Sequence, residues 1–424
     1  MVKKSGKKVC PVLSAKLKSS SKDDIPVIIR VKDRDSNKLS SQVFNMSGRI
    51  KYNLPLIGGV ACNINIESID KLSNDPNIEY INFDSKVFAQ LDIATKAMGV
   101  DIPHKEGYDG EGITVAVIDT GVSPHSDLVK PKNRIVGFKD FVNDKKKPYD
   151  DNGHGTHVAG IIASNGYSSK GKYAGVAPKA NILGVKALDS EGSGSTSDII
   201  SAIQWVIETK DVYNTKILNL SLGSPATESY KSDPLNRATQ EAINAGLTVV
   251  VAAGNNGPSK NTILSPGNNP NVITVGAVDD NKTIEIDDDT IAPFSSRGPT
   301  KEGFKKPDIV APGVDIMSLS NTKLDGYHSL SGTSMATPMV AGSLALLHGK
   351  HTNLNHNSSK ATLKNSCIDI NEKYGNQGAG VLSLEKLFQT EVKNTPSKET
   401  ITGNVFNENI LVVLLVLLLL TRKF

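Results

Sequence analysis

The chain has 424 residues, of which 38% are hydrophobic, 22% charged and only 5% aromatic. That composition excludes a disordered or collagen-like chain, and the length suits one large domain with a small one, or two to three average domains. The formal charge of +4 is unevenly placed: residues 1–22 hold seven lysines and no acid, so the remainder carries 41 basic against 44 acidic residues, a net −3, and a main body that binds nucleic acid through a basic face is excluded.

In chain order, residues 1–23 read as a basic, Lys/Ser-rich mobile arm. No apolar run of about 7–15 residues follows its lysines, so export by the usual secretory leader is not expected and the expected address is the cytoplasm. Residues 24–90 read as a small α/β unit, with a strand at 27–32, an apolar patch over 52–65, a helix opening near Ser68 and a strand at 78–83. Residues 91–390 alternate β-branched apolar runs (113–118, 181–186, 217–220, 248–253 and 272–278) with helical patterns at 154–164, 196–209, 234–245 and 334–348. That alternation predicts an α/β domain of three layers, a parallel sheet covered by helices on both faces. Residues 391–409 form a polar linker, and 410–424 a hydrophobic tail. The eleven apolar residues 410–420 reach roughly 16 Å as a helix, against about 30 Å for a bilayer core. The tail therefore reads either as a packed C-terminal helix or as a membrane or surface attachment. Cys10, Cys62 and Cys367 are odd in number and far apart, so neither a disulfide framework nor a zinc site is predicted.

Three segments put reactive side chains where an α/β fold exposes them. The strand Val115-Ala116-Val117-Ile118-Asp119 delivers a carboxylate at its C-terminal end, where such sheets bind ligands. Gly153-His154-Gly155-Thr156-His157 opens a helix with an imidazole, and Gly332-Thr333-Ser334-Met335-Ala336 opens another with a serine. A helix N-terminus offers unpaired N–H groups, useful where an oxyanion forms. A fourth segment, Ala252-Ala253-Gly254-Asn255, carries an amide beyond the tip of a buried strand. A serine hydroxyl is a weak nucleophile until a base takes its proton, and a carboxylate on the other ring nitrogen orients that base. Each piece alone is more often structural than catalytic. No GxxxxGK[ST] or GxGxxG loop follows a strand, so a nucleotide-binding reading falls.

In the order Asp…His…Ser, with Asn between His and Ser, the four segments resemble the subtilisin-like serine proteases, the subtilases, over residues 91–385. The resemblance implies a serine endopeptidase that works through an acyl-enzyme, with Ser334 as nucleophile, His154 as general acid and base, Asp119 as orienting carboxylate and Asn255 as oxyanion donor. It also implies that Ser221-Leu222-Gly223 and Gly192-Ser193-Gly194 bind an extended protein or peptide substrate by strand addition, with Ala253 beside the specificity pocket and Leu264 narrowing it. His157 reads as a packed structural residue. No cofactor is required for the chemistry. Structural calcium is a habit of the family, but Asp127 matches only one ligand of its site, and Asp287-Asp288-Asp289 reads either as a cation-binding run or as a solvated acidic loop, so no metal site is assigned. Residues 24–90 resemble the family's inhibitory prosegment, a ferredoxin-like unit, which makes the chain a self-processing zymogen cut near residues 88–92. The stretches around Tyr149, Asp279 and Phe294 are similar to the AprX-type bacterial group, which lacks a signal peptide; the apolar tail departs from that pattern. The rival readings are a peptide-binding protein without catalysis and a membrane-attached processing enzyme.

Overall fold

The computed structural model describes residues 24–33, 35–54, 58–83 and 91–392, together with residues 8, 9, 13 and 17. Most of the basic arm, residues 84–90 at the end of the expected prosegment (and with them residues 88–90 of the expected cleavage stretch 88–92), the linker from 393 on and the apolar tail lie outside the described residues. Among the described residues, no helix is long and apolar enough to cross a membrane. The chain divides into two compact units, Met1–Phe88 and Ala89–Phe424.

The first unit runs β1 (Ile25–Val31), α1 (Ser36–Asn45), β2 (Arg49–Leu54), β3 (Gly59–Ile64), α2 (Ile66–Ser73) and β4 (Ile78–Phe83). Its antiparallel sheet has the order β2-β3-β1-β4. Alternate residues of β1, namely Ile25, Val27, Ile29 and Val31, are buried, as the two-residue period of a one-sided sheet requires. They pack with Leu39 and Val43 of α1 and with Ile69 and Leu72 of α2. The cap of α2 is Asn65, whose side chain accepts from the Ser68 N–H, so the helix begins earlier than the expected Ser68 start. Helix α1 has no counterpart among the predicted elements. Only Leu39 and Val43, four residues apart, and the small Ser36 are buried on it, and Asp35 caps it through the Lys38 N–H.

The second unit is built on β5 (Thr114–Asp119), β6 (Ile135–Asp140), β7 (Asn181–Lys186), β8 (Thr215–Leu220), β9 (Thr248–Ala252), β10 (Ile273–Asp279) and β12 (Ile309–Pro312), which pair in parallel in the order β6-β7-β5-β8-β9-β10-β12. The two-residue β11 (Thr290–Ile291) adds antiparallel to β10. From β5 the chain passes first to the edge strand β6, returns to β7 between the two, and then crosses to the other side of β5 with β8. Strand β5 therefore lies at the switch point, where the crevice beyond the strand ends is open to a ligand.

Each strand of the centre feeds both faces. Val115 and Val117 of β5 belong to a core shared with α3 (His154–Ala163) and α6 (Thr333–Lys350). Ala116 and Ile118 face the other way, toward α4 (Thr196–Thr209) and α5 (Pro234–Asn244). Burial on both faces makes β5 a continuous apolar run rather than an alternating one.

Candidate active site

Strand β5 ends in Asp119, which has no solvent exposure. Its Oδ1 lies 2.7 Å from His154 Nδ1 and accepts from the Thr120 N–H at 2.7 Å. Its Oδ2 is buried and has no hydrogen-bond partner among the described residues. The ring of His154, about a quarter exposed, feels two opposed effects. Burial disfavours the imidazolium, but the charge and hydrogen bond of Asp119, with the charge of Asp150, outweigh it and hold the His154 pKa above the ordinary histidine value.

The approach of His154 to Asp119 is made possible by Gly155, because a Cβ there would collide with the Gly121 carbonyl. The N–H groups that open α3 are all taken by side chains. Asp150 Oδ1 accepts from Asn152 N, Gly153 N and Thr120 Oγ1, and its Oδ2 accepts from Thr156 N and Thr156 Oγ1. Thr120 Oγ1 in turn accepts from Gly155 N, and Asn152 Oδ1 from His154 N. A helix start normally leaves such donors unpaired; here one buried carboxylate ties them to the tip of β5. The adjacent acid turns elsewhere. Asp151 pairs at 2.6 Å with the fully buried Lys186, which also donates to the Thr120 and Leu188 carbonyls.

Ser334 is the second residue of α6. Its Oγ donates to the Ser221 carbonyl at 3.1 Å, while Ser221 Oγ donates back to the Ser334 carbonyl at 3.0 Å. That carbonyl is free because Pro338, four residues on, has no N–H to offer it. Among the described residues, no hydrogen bond joins Ser334 to His154. Asn255 is exposed, and its Oδ1 accepts from Thr333 N at 2.9 Å and Thr333 Oγ1 at 3.0 Å. Two donors on one oxygen fix the orientation of the amide, so Nδ2 points away from Thr333. A Cβ placed on Gly332 would lie 3.4 Å from Asn255 Nδ2 and 3.6 Å from Ser334 N, so both N–H groups border the same small space.

His154, Ser221, Leu222, Gly223, Gly192, Ser193 and Gly194 line one cleft of about 540 Å³. Asp189 Oδ1 holds the glycine loop by accepting from Glu191 N and Ser193 N. Ala253 is not part of that lining: it is fully buried, and its carbonyl accepts from the Leu264 N–H. Leu264 packs between two glycines, since a Cβ on Gly254 would be 2.5 Å from its Cγ and one on Gly223 would be 3.1 Å from its Cβ.

His157 lies outside the cleft lining, buried, with Nε2 against the carbonyls of Ile316 and His328 and its pKa pushed down to about 3, by burial first and then by neighbouring histidines. The Asp127 carboxylate accepts from Ser164 Oγ, Tyr327 OH and Ser168 N. Those donors satisfy it as protein does, and the set does not fit a calcium cage. Among the described residues, no three His, Cys, Asp or Glu side chains converge as a metal cluster. Sequence reasoning missed Asp150, Thr120 and Lys186. The one available signal was an acid four residues ahead of a helix-opening histidine, where carboxylates suit orphan N–H groups.

The subtilase family profile matches residues 110–394. Serine protease AprX of Bacillus subtilis (strain 168) is 46% identical over 334 residues, covering 74% of this chain and 75% of the relative. Subtilisin E of the same organism is 32% identical over 363 residues, 84% of this chain and 87% of the relative. Among solved structures, sphericase is 35% identical with a TM-score of 0.55, covering 65% of this chain and 92% of that one.

Asp150→Asn puts an amide N–H against one of the groups that now donate to the carboxylate. The expected results are a His154 pKa shifted down toward the ordinary value, read by NMR titration of the ring, and a stability loss of about 1–3 kcal/mol in thermal unfolding. An unchanged His154 titration would show that Asp150 does not bear on the ring.

Proposed function

Since the chain belongs to the subtilase family of serine peptidases, we propose that it hydrolyses peptide bonds through an acyl-enzyme on Ser334, with His154, Asp119 and Asn255 as the working groups. The observation that carries this reading is the 2.7 Å contact between His154 Nδ1 and a fully buried Asp119. It leaves the other ring nitrogen free to take a proton.

The Ser334 hydroxyl turns from the Ser221 carbonyl to His154 Nε2 and gives up its proton as Oγ bonds to the scissile carbonyl carbon. The imidazolium is held by Asp119. Negative charge then develops on the carbonyl oxygen, in the space bordered by Asn255 Nδ2 and the Ser334 N–H. His154 returns its proton to the leaving amine, the C–N bond breaks, and water attacks the ester by the same path in reverse. Substrate binds extended between Ser221-Leu222-Gly223 and Gly192-Ser193-Gly194, by main-chain hydrogen bonds that are largely blind to sequence. Selectivity falls to Leu264, which shortens the pocket for the side chain before the scissile bond.

Residues 24–90 act, in this reading, as an inhibitory prosegment removed near residues 88–92. Support comes from the βαββαβ order and the β2-β3-β1-β4 sheet of the first unit, the arrangement of ferredoxin-like domains. A second reading, a peptide-binding protein without turnover, draws on one observation: Ser334 Oγ is bonded to Ser221 rather than His154.

One experiment separates the two. The intact mass of the wild-type chain is compared with that of Ser334→Ala. Loss of about 10 kDa by wild type alone, the share of 45.2 kDa over 424 residues that residues 1–90 represent, supports Ser334 as nucleophile and a cleavable prosegment. A variant that is also cut sinks self-processing, and two whole chains favour the binding protein.

Activity toward peptides is expected to rise with pH through a pKa above the ordinary histidine value, because the base must be neutral and His154 holds its proton more tightly than usual. Stability runs the other way. The charged His154–Asp119 pair contributes fully below the unfolded histidine pKa, and that contribution is lost as pH climbs through the raised folded pKa. A pH profile of kcat/KM with its acid limb below the ordinary value would contradict the assignment. Leu264→Gly is expected to raise kcat/KM for a phenylalanine over an alanine before the scissile bond by about 10–100-fold, read with paired peptide substrates.

A further inference from the structure

Strand β10 ends in Asp279, and β11 returns antiparallel beside it with Asp279 opposite Thr290. The intervening turn is acidic: residues 279–289 contain six acids and one lysine. Most of this is ordinary turn chemistry. Asp279 Oδ1 accepts from Asn281 N, Asp280 Oδ1 from Lys282 N, and Asp288 Oδ1 from Thr283 Oγ1. Lys282 Nζ reaches Asp315 Oδ2 at 3.5 Å.

Asp289 differs from all of them. It is only 6% exposed, yet both of its carboxylate oxygens are buried without a hydrogen-bond partner among the described residues. An ionised carboxylate out of water with no donor is costly, and proteins relieve such a group with a proton or a cation. The charges that bear on it are negative: Asp280, itself only 4% exposed, then Asp288 and Asp279. Burial first, and these neighbours second, push the Asp289 pKa up to about 8; Asp280, also chiefly through burial, is pushed up to about 6. Asp280 accepts from the Lys282 N–H, whereas neither oxygen of Asp289 has such a donor among the described residues.

We infer that Asp289 and Asp280 form a binding site for a hard divalent cation, calcium by its chemistry, at the β10–β11 turn. The segment holds neither histidine nor cysteine, so the donors are oxygens and zinc or copper is disfavoured. No three acidic side chains converge here, so carbonyl oxygens and water complete the shell. Two carboxylates give a weak site, with a Kd of about 10⁻⁴–10⁻³ M. The site is separate from Asp127 and has no part in the proposed catalysis. The cation would fasten the turn at the end of β10, the strand whose Val275 carbonyl accepts from the Ala253 N–H two residues before Asn255.

The test uses the full chain carrying Ser334→Ala, so that autolysis cannot contribute. Calcium binding is measured by isothermal titration calorimetry, and thermal unfolding is followed with calcium or with EDTA. The expected result is one weak calcium site and a Tm higher by about 2–5 °C in 10 mM calcium. Both are lost in Asp289→Asn and weakened in Asp280→Asn, with far-UV circular dichroism unchanged in each. Three results would overturn the proposal: no calcium binding, binding and Tm gain that persist in Asp289→Asn, or an Asp289→Asn chain that is already stabilised in a calcium-insensitive background. The last would mean that the buried carboxylate carries a proton instead.

Discussion

A carboxylate wholly out of water at the tip of β5, with one oxygen on His154 and the other without a partner among the described residues, is an arrangement that a protein must hold in place. Asp119 stays there because β5 is buried on both faces, with Val117 and Ile118 packed into opposite cores immediately before it. The unshared negative charge raises the proton affinity of the imidazole. Everything proposed for the chemistry depends on that raised affinity, since it makes His154 a base and then a stable acid while the proton is in transit.

The surrounding polar structure holds this one contact. Asp150 gathers the opening N–H groups of α3, and Thr120 links them to the strand end, so helix and strand are joined at the position where His154 and Asp119 meet. Pro338 and Ser221 do a related service at the other helix. The proline leaves the Ser334 carbonyl without its helical partner, and the Ser221 hydroxyl takes it, which couples the start of α6 to the segment proposed to bind substrate. A loop residue thus acquires a rigid position from a defect in a helix.

Periodicity and local punctuation carried much of the fold. The predicted strand at 181–186 and helix at 196–209 coincide with Asn181–Lys186 and Thr196–Thr209, because both are long apolar patterns with clear ends. Strand β6 was illegible: only its first and last residues are buried, and Gly137 interrupts its apolar pattern. Helix α1 was hidden by its serines and asparagines. The candidate site was legible as a set of side-chain types, each at a strand end or helix start. Its supports were not, since Asp150 and Asp151 are identical and adjacent in sequence but face a helix start and a buried lysine respectively.

By itself, the sequence determined the α/β class, the order of the four reactive segments and the chemistry those side chains suit, because these follow from residue type and local period. Tertiary structure alone decided which acid meets the imidazole of His154, which ties down a helix start and which, among the described residues, is left buried without a partner at 289. It buried Ala253 outside the cleft lining and packed Leu264 between Gly254 and Gly223, and it set the 2.7 Å contact between residues 35 positions apart. The reason is that burial and proximity are non-local quantities. They arise when the parallel sheet brings distant strand ends to one edge, and no window of sequence contains them.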